Sequence, residues 1–144
     1  MKLETILKAK GHEVATIQPE MSVRDLLAEL TARRIGALVV SADREHVDGM
    51  VSERDVVREC AAHGAAVLDL PVSAIMSRIV QCAPPDALVT DIMALMTERR
   101  VRHIPVVDEH GVLVGLVSIG DVVKNRLGEL EGERDALIQY VTTG

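Results

Sequence analysis

Apolar and polar positions along the chain follow two periods, and the whole succession of periods occurs twice. Residues 1–13 carry apolar side chains at helical spacing, a leading helix that Gly11 stops. A short apolar strand over 14–17 breaks at a turn containing Pro19. Val23, Leu26, Leu27 and Leu30 then line one face of a helix. Two β-branched runs over 37–40 and 47–51 follow, joined by a hairpin-like turn at 43–46, and a second helix starts at Ser52. Residues 61–78, with Pro71 and Ser73, read as a linker. The pattern then returns as a strand over 79–82, a Pro-containing turn, and a helix faced by Leu88, Ile92, Leu95 and Met96. Strands over 104–107 and 112–117 flank a turn at 108–111, and a helix starts at Ser118. Residues 125–141 continue as an amphipathic helix whose stripe of Leu127, Leu130, Leu137, Ile138 and Val141 is weakened by Gly128 and Gly132.

The recurrence is also one of residue identity. A shift of 66 positions lays 15–59 on 81–125 without a gap and matches 14 of 45 residues, among them Pro19 with Pro85 and Arg33-Arg34 with Arg99-Arg100. Average residue usage gives roughly three matches by chance. Each copy is strand–helix–strand–strand–helix and is too small to cover both faces of its own sheet. The expectation is an α+β fold in which two βαββα repeats pack about a pseudo-two-fold axis, flanked by N- and C-terminal helices. In chain order, 1–72 hold the first repeat with the N-terminal helix and 73–144 the second with the C-terminal helix, and together they make one module.

Composition narrows the function classes. The 144 residues carry a net charge of −6 and contain no Phe, no Trp and one Tyr, so the core is aliphatic. An acidic chain without a basic run or aromatic stacking platforms is a poor match for nucleic acid. No run approaches 18 apolar residues and the N-terminus lacks a signal-type apolar stretch, so no membrane segment is expected. Two cysteines, Cys60 and Cys82, are too few for a disulfide scaffold and fit a reducing cytosol.

The densest identity lies in the doubled Gly-x-Val-Ser-x-x-Asp-Val-Val, at 49–57 and 115–123, which holds 6 of the 14 matches. One account is purely structural: Ser-x-x-Asp at a helix start is close to a capping box, and its carboxylate suits the positive end of the helix. The other is functional. A carboxylate at the mouth between strand end and helix N-terminus accepts two ribose hydroxyls, with phosphate near the first-turn amides. Capping alone does not need the flanking Gly and the Val pair.

These residues, with Arg102-His103-Ile104-Pro105-Val106-Val107-Asp108, resemble a tandem pair of cystathionine-β-synthase (CBS) domains, the Bateman module, along the whole chain. The match is particularly to small stand-alone bacterial CBS-pair proteins. The resemblance implies an adenosine-nucleotide sensor (AMP, ADP, ATP or NADH) with two clefts between the repeats, no catalysis and no metal. It makes Asp55 and Asp121 ribose ligands with Ser52 and Ser118 as companions. It sets Thr16 and Cys82 beside the base, where Cys82 departs from the commoner hydroxyl residue. It also implies dimerisation as a flat disc of two modules.

The copies differ where phosphate chemistry is expected. Arg102-His103 stands where the first copy has Gly36-Ala37, and Arg54 where the second has Gly120. In the family, basic residues at the Arg102-His103 position contact phosphate, with Ile104 following on the strand. Arg54 either reaches phosphate or pairs on its own helix; Arg suits phosphate because its planar fork donates two hydrogen bonds. A different reading makes the chain a metal- or thiol-responsive module using Cys60, His63 and Cys82, although the rest of a tetrahedral site is not apparent. No phosphate-cradling Gly-rich loop and no nucleophile–base pair stands out. Without an attached enzyme, such a module signals by association, as a homodimer or with a regulated protein.

Overall fold

The computed structural model describes residues 1–143. Helix α1 (Leu3–Lys10) ends at Gly11, whose φ of 108° suits glycine. The first repeat then runs β1 (Thr16–Ile17), α2 (Val23–Arg33), β2 (Ala37–Val40), β3 (Gly49–Ser52) and α3 (Glu53–His63). β1 pairs parallel with β2 and β2 antiparallel with β3. Of the linker expected over 61–78, residues 61–63 complete α3 and two short 3-10 turns, Ala65–Asp69 and Val72–Ala74, follow. The second repeat has α4 (Val89–Arg99), β4 (His103–Val107), β5 (Leu113–Ser118) and α5 (Ile119–Thr143), with β4 and β5 antiparallel.

The strand expected over 79–82 is reduced to one bridge, Ala83 to Val106, at the position that Ile17 and Val40 hold in the first repeat. Pro105 of β4 stands where the first repeat has Val39, the partner of Thr16. It has no N–H to donate to the chain before Ala83, so the ladder keeps only the two bonds of Ala83, whose N donates to Pro105 O at 3.1 Å and whose O accepts from Val107 N at 3.0 Å. Ile79 accordingly lies 94% exposed.

The core is wholly aliphatic and falls into two clusters, each closed by a segment from outside its own repeat. Ile17, Val23, Leu26, Leu30, Leu38, Val40, Val51 and Val56 pack with Val67, Val72 and Ile75 from the segment that leads into the second repeat. Ala83, Val89, Ile92, Met96, Ile104, Val106, Val117 and Val122 pack with Leu3, Ile6 and Leu7 of α1, which leads into the first. Helix α1 therefore precedes the first repeat in the chain but covers the second. The backbone ties are reciprocal as well. Val72 N donates to Met21 O at 2.7 Å and Ser73 N to Pro19 O at 3.0 Å, while Leu3 N donates to Ala87 O at 3.0 Å and Glu4 N to Pro85 O at 2.9 Å. Such an exchange of covers is what a two-fold relation between repeats produces. Burying each large aliphatic side chain stabilises by about 1.5–3 kcal/mol, so the exchange ties the halves together.

Helix α5 runs unbroken from the second repeat through the expected C-terminal helix, and residues 131–143 are all exposed. No helix is long and apolar enough to cross a membrane among the described residues.

Candidate functional site

The doubled Gly is explained by the exchanged covers. A Cβ on Gly49 would stand 2.7 Å from Ser77 O and 2.7 Å from Met76 Sδ; one on Gly115 would stand 2.5 Å from Leu7 Cδ2. Each glycine lies where the donated segment crosses the strand, so its role is close approach. The capping account of Ser-x-x-Asp is realised in both copies. Ser52 N donates to Asp55 Oδ2 at 2.8 Å and Asp55 N donates to Ser52 Oγ at 3.3 Å. Ser118 N donates to Asp121 Oδ2 at 2.9 Å and Asp121 N to Ser118 Oγ at 3.1 Å. This pair of bonds satisfies helix-end donors and fixes each carboxylate at a helix N-terminus. Capping does not exhaust a carboxylate, which offers about four lone-pair sites.

The first junction opens on a cleft of about 320 Å³ between the repeats. The first repeat contributes Ala37, Ser52, Arg54 and Asp55, and the second contributes Arg100, Arg102 and His103. Gly36-Ala37 and Arg102-His103, matched positions in the two repeats, thus meet in one cavity. Arg54, Arg100 and Arg102 have no ion-pair partner among the described residues, a state they share with Arg34, Arg44, Arg78 and Arg99, while Arg24, Arg33, Arg58, Arg126 and Arg134 are paired. What sets the three apart is that they line one cleft. These three arginines line the same cleft as Glu53 and Asp55. Arg58 holds the outer oxygen of Asp55, donating to Oδ1 at 2.9 Å. Burial pushes the imidazole of His103 below its ordinary range, and Lys10 and Arg102 add to the shift.

Arg100 escaped the sequence reading as a site residue, although its signal was present. Arg34 and Arg100 close α2 and α4 in the left-handed conformation, φ 55° and 54°, where Gly is the usual choice. A repeated Arg in that conformation is an anomaly worth following. Arg100 lines the inter-repeat cleft, and Arg34 lines an adjoining hollow that shares Gly36 and Glu53 with it.

The second junction is held differently. Lys10, in the last turn of α1, donates to Asp121 Oδ2 at 2.6 Å and to Leu116 O at 2.9 Å. Burial works against the charge of Asp121, but hydrogen bonds from Lys10 and Ser118 outweigh it and hold the carboxyl below the usual carboxylate range. Asp121 lines a cavity of about 570 Å³ between α1 and α5, not the cleft that holds Asp55.

The remaining candidates lie apart from the inter-repeat cleft. Thr16 sits on β1, the edge of the β1-β2-β3 order remote from β3, and pairs with Val39. Cys82 precedes the matching bridge at Ala83, and burial pushes its thiol up, away from the reactive thiolate. Ile104 is fully buried in the second core, and Ser118 and Gly120 stay with the Asp121 junction. Cys60 packs against the first core, and His63 lies 3.7 Å from Glu59. Cys60, His63 and Cys82 are not gathered into a ligand set. Among the described residues the only such trio is Asp43, Glu45 and His46, all exposed on the hairpin turn. There the Asp43 carboxylate accepts from two backbone N–H groups at 2.8 Å, an ordinary turn arrangement.

Comparison with known proteins agrees with this architecture. The family model for the CBS domain matches residues 10–62 and again 72–128. A mitochondrial CBS-domain protein of Arabidopsis thaliana is 34% identical over 99% of this chain and 72% of its own. The crystal structure of a CBS-domain protein from Agrobacterium tumefaciens superimposes with a TM-score of 0.83 at 39% identity, covering 88% of this chain and 99% of its own. A CBS-domain protein of Pyrobaculum aerophilum, solved in complex with AMP, matches with a TM-score of 0.73 at 25% identity over 84% of this chain and 89% of its own.

Proposed function

The chain belongs to the CBS-domain family, and from that membership we propose that it is a non-catalytic regulatory module that binds an adenosine nucleotide in the cleft between its repeats. The observation that carries this reading is the meeting of a capped carboxylate, Asp55, with three unpaired arginines from both repeats. Ribose hydroxyls donate to Asp55, beside Ser52. Phosphates accept from Arg54, Arg100 and Arg102, each able to give two parallel hydrogen bonds. The AMP complex of the Pyrobaculum relative supports AMP as the first ligand to try, with ADP, ATP and NADH beside it. Because the cleft draws on both repeats, a bound nucleotide bridges them, and this is the route by which binding alters the module's shape.

Association completes the reading. Val57 and Val123, matched residues on α3 and α5, are 68% and 40% exposed, and Leu137, Tyr140 and Val141 extend the apolar surface along α5. Closed two-fold pairing is the commonest way to cover such faces. The module, halves 1–72 and 73–144 in chain order, therefore acts as a homodimer or on a regulated protein. The free thiols of Cys60 and Cys82 suit a reducing cytosol. The test is thermal unfolding with AMP, ADP, ATP or NADH against inorganic phosphate. At a hundredfold excess over Kd, one site adds about 2.7 kcal/mol, or roughly 5–11 °C for a chain of this size. No shift with any adenosine compound at millimolar concentration defeats the reading. Sedimentation of a monomer at micromolar concentration, with and without nucleotide, defeats the dimer.

A further inference from the structure

Helix α5 presents two faces. Val122 is buried, and Asn125, Arg126 and Glu129 are half-buried, on the face that packs against α1 and α4. A second face recurs at alternate steps of four and three residues: Val123, Leu127, Leu130, Arg134, Leu137 and Val141, the spacing of a seam between two helices. Its five apolar members are exposed, and it runs on past residue 128, where the family match ends. Charge borders the seam in blocks. Lys124 is followed by Glu131 along one border, and Arg126 by Glu133 along the other. Lys124, Glu131 and Glu133 have no ion-pair partner among the described residues, while Arg126 holds Glu129 at 2.9 Å. Seven positions apart, Lys124 and Glu131 stand about 10.5 Å from each other along one helix and do not pair within the chain.

We propose that this seam is covered by the α5 of a second copy of the chain, laid antiparallel with Leu127 of each copy against Leu130 of the other. The inference rests on the homodimer reading above and names the surface and register that hold the pair. In this register like borders meet, so Lys124 lies beside Glu131 and Arg126 beside Glu133, each pairing made twice by the two-fold symmetry. A parallel, in-register pair sets Lys124 beside Ile119 instead and leaves Glu133 beside Ile138. The antiparallel register also carries Leu137 and Tyr140 to the start of the other α5, where Gly120 and Ile119 are exposed. Arg134, the one polar member of the seam, falls opposite Val123 and can lay its aliphatic stem there with its charge at the edge. Charge thus selects the occupant and its direction, and the apolar seam supplies the buried surface.

The experiment is sedimentation and native mass spectrometry of the full chain at micromolar concentration, where wild type should be a dimer. Glu131→Lys and Lys124→Glu, each alone, set like charges together and should weaken the dimer roughly tenfold. Mixed in equal amounts, one of them isotope-labelled, the two variants regain every Lys–Glu pairing in the heterodimer, which should form well beyond the share given by random exchange. Leu127→Gln, at an exposed position, should weaken the dimer roughly tenfold or more. Random exchange between the two charge variants, or a wild-type dimer constant in Leu127→Gln, overturns the proposal and leaves a dimer held by another face. A monomeric wild type overturns the proposal and the homodimer reading together. The adenosine reading is scored separately, by the AMP-dependent melting shift of the same proteins, because the seam shares no residue with the inter-repeat cleft.

Discussion

At the Ser52–Asp55 junction the carboxylate is braced by Arg58 from its own helix and faces a cleft into which the opposite repeat sends Arg100 and Arg102. At the Ser118–Asp121 junction the same motif is braced by Lys10 from the far end of the chain and faces a cavity between α1 and α5. The caps are the same to within a few tenths of an ångström. What differs is the donated cover, which brings Met76 and Ser77 to one strand and Leu7 and Lys10 to the other. A repeated motif therefore specifies the local geometry of a site, while its chemistry is set by residues outside the repeat.

The largest effect should come from removing a cover. Leu7→Ala leaves a cavity in the second core and should cost about 3 kcal/mol, about 6–12 °C in melting temperature. Hydrogen exchange should show lost protection in β4 and β5 before β2 and β3, although Leu7 precedes the first repeat; the opposite order would break the exchanged-cover description. Next, Asp55→Ala should weaken nucleotide binding at the inter-repeat cleft roughly tenfold to a hundredfold, with a loss of about 1 kcal/mol in stability from the broken cap. An unchanged calorimetric titration would remove Asp55 from the site. Third, Gly49→Ala and Gly115→Ala should each destabilise by about 1–3 kcal/mol through overpacking. Gly49→Ala should cost more, because it meets the Ser77 carbonyl as well as a side chain, whereas Gly115→Ala meets the movable end of Leu7. Denaturant unfolding of the two proteins ranks them.

The smallest effect is a pH dependence centred on His103, whose imidazole is held low by burial and then by Lys10 and Arg102. The unfolded chain takes up this proton first, near pH 6.5. Stability should therefore fall as pH drops below that value, and His103→Asn should flatten the curve. A bound phosphate favours the charged imidazole, so nucleotide affinity should rise over the same acidic window. Affinity independent of pH between 7.5 and 5.5 would separate His103 from phosphate.

The repeats, their helices and hairpins, and the capped Ser-x-x-Asp could be read from the sequence because each depends on local pattern. Hydrophobic spacing alone gave α1 an apolar face in Leu3, Ile6 and Leu7 but could not say which core receives it. That choice is made by tertiary closure. The strand over 79–82 was lost at Pro105 of β4, whose missing donor counts only once its partner strand is known. Lys10 reads locally as a favourable charge at a helix C-terminus, and its pairing with Asp121 spans 111 positions. Arg100 was visible as half of a repeated Arg-Arg, yet its place in the cleft follows from the meeting of two repeats.

The exchanged covers also set an order for birth on the ribosome. Every residue of the first core lies between Ile17 and Ile75, so that core can close as soon as its stretch of chain has emerged. The second core opens with Leu3 and finishes with Val122. At roughly 5–20 residues per second α1 waits roughly 5–25 s for its partner strands. Through that interval its apolar face is the exposed, sticky part of the nascent protein. Helix α1 is made before the elements of both repeats yet docks last, and a chain halted before Val122 would emerge with one finished half and α1 still loose.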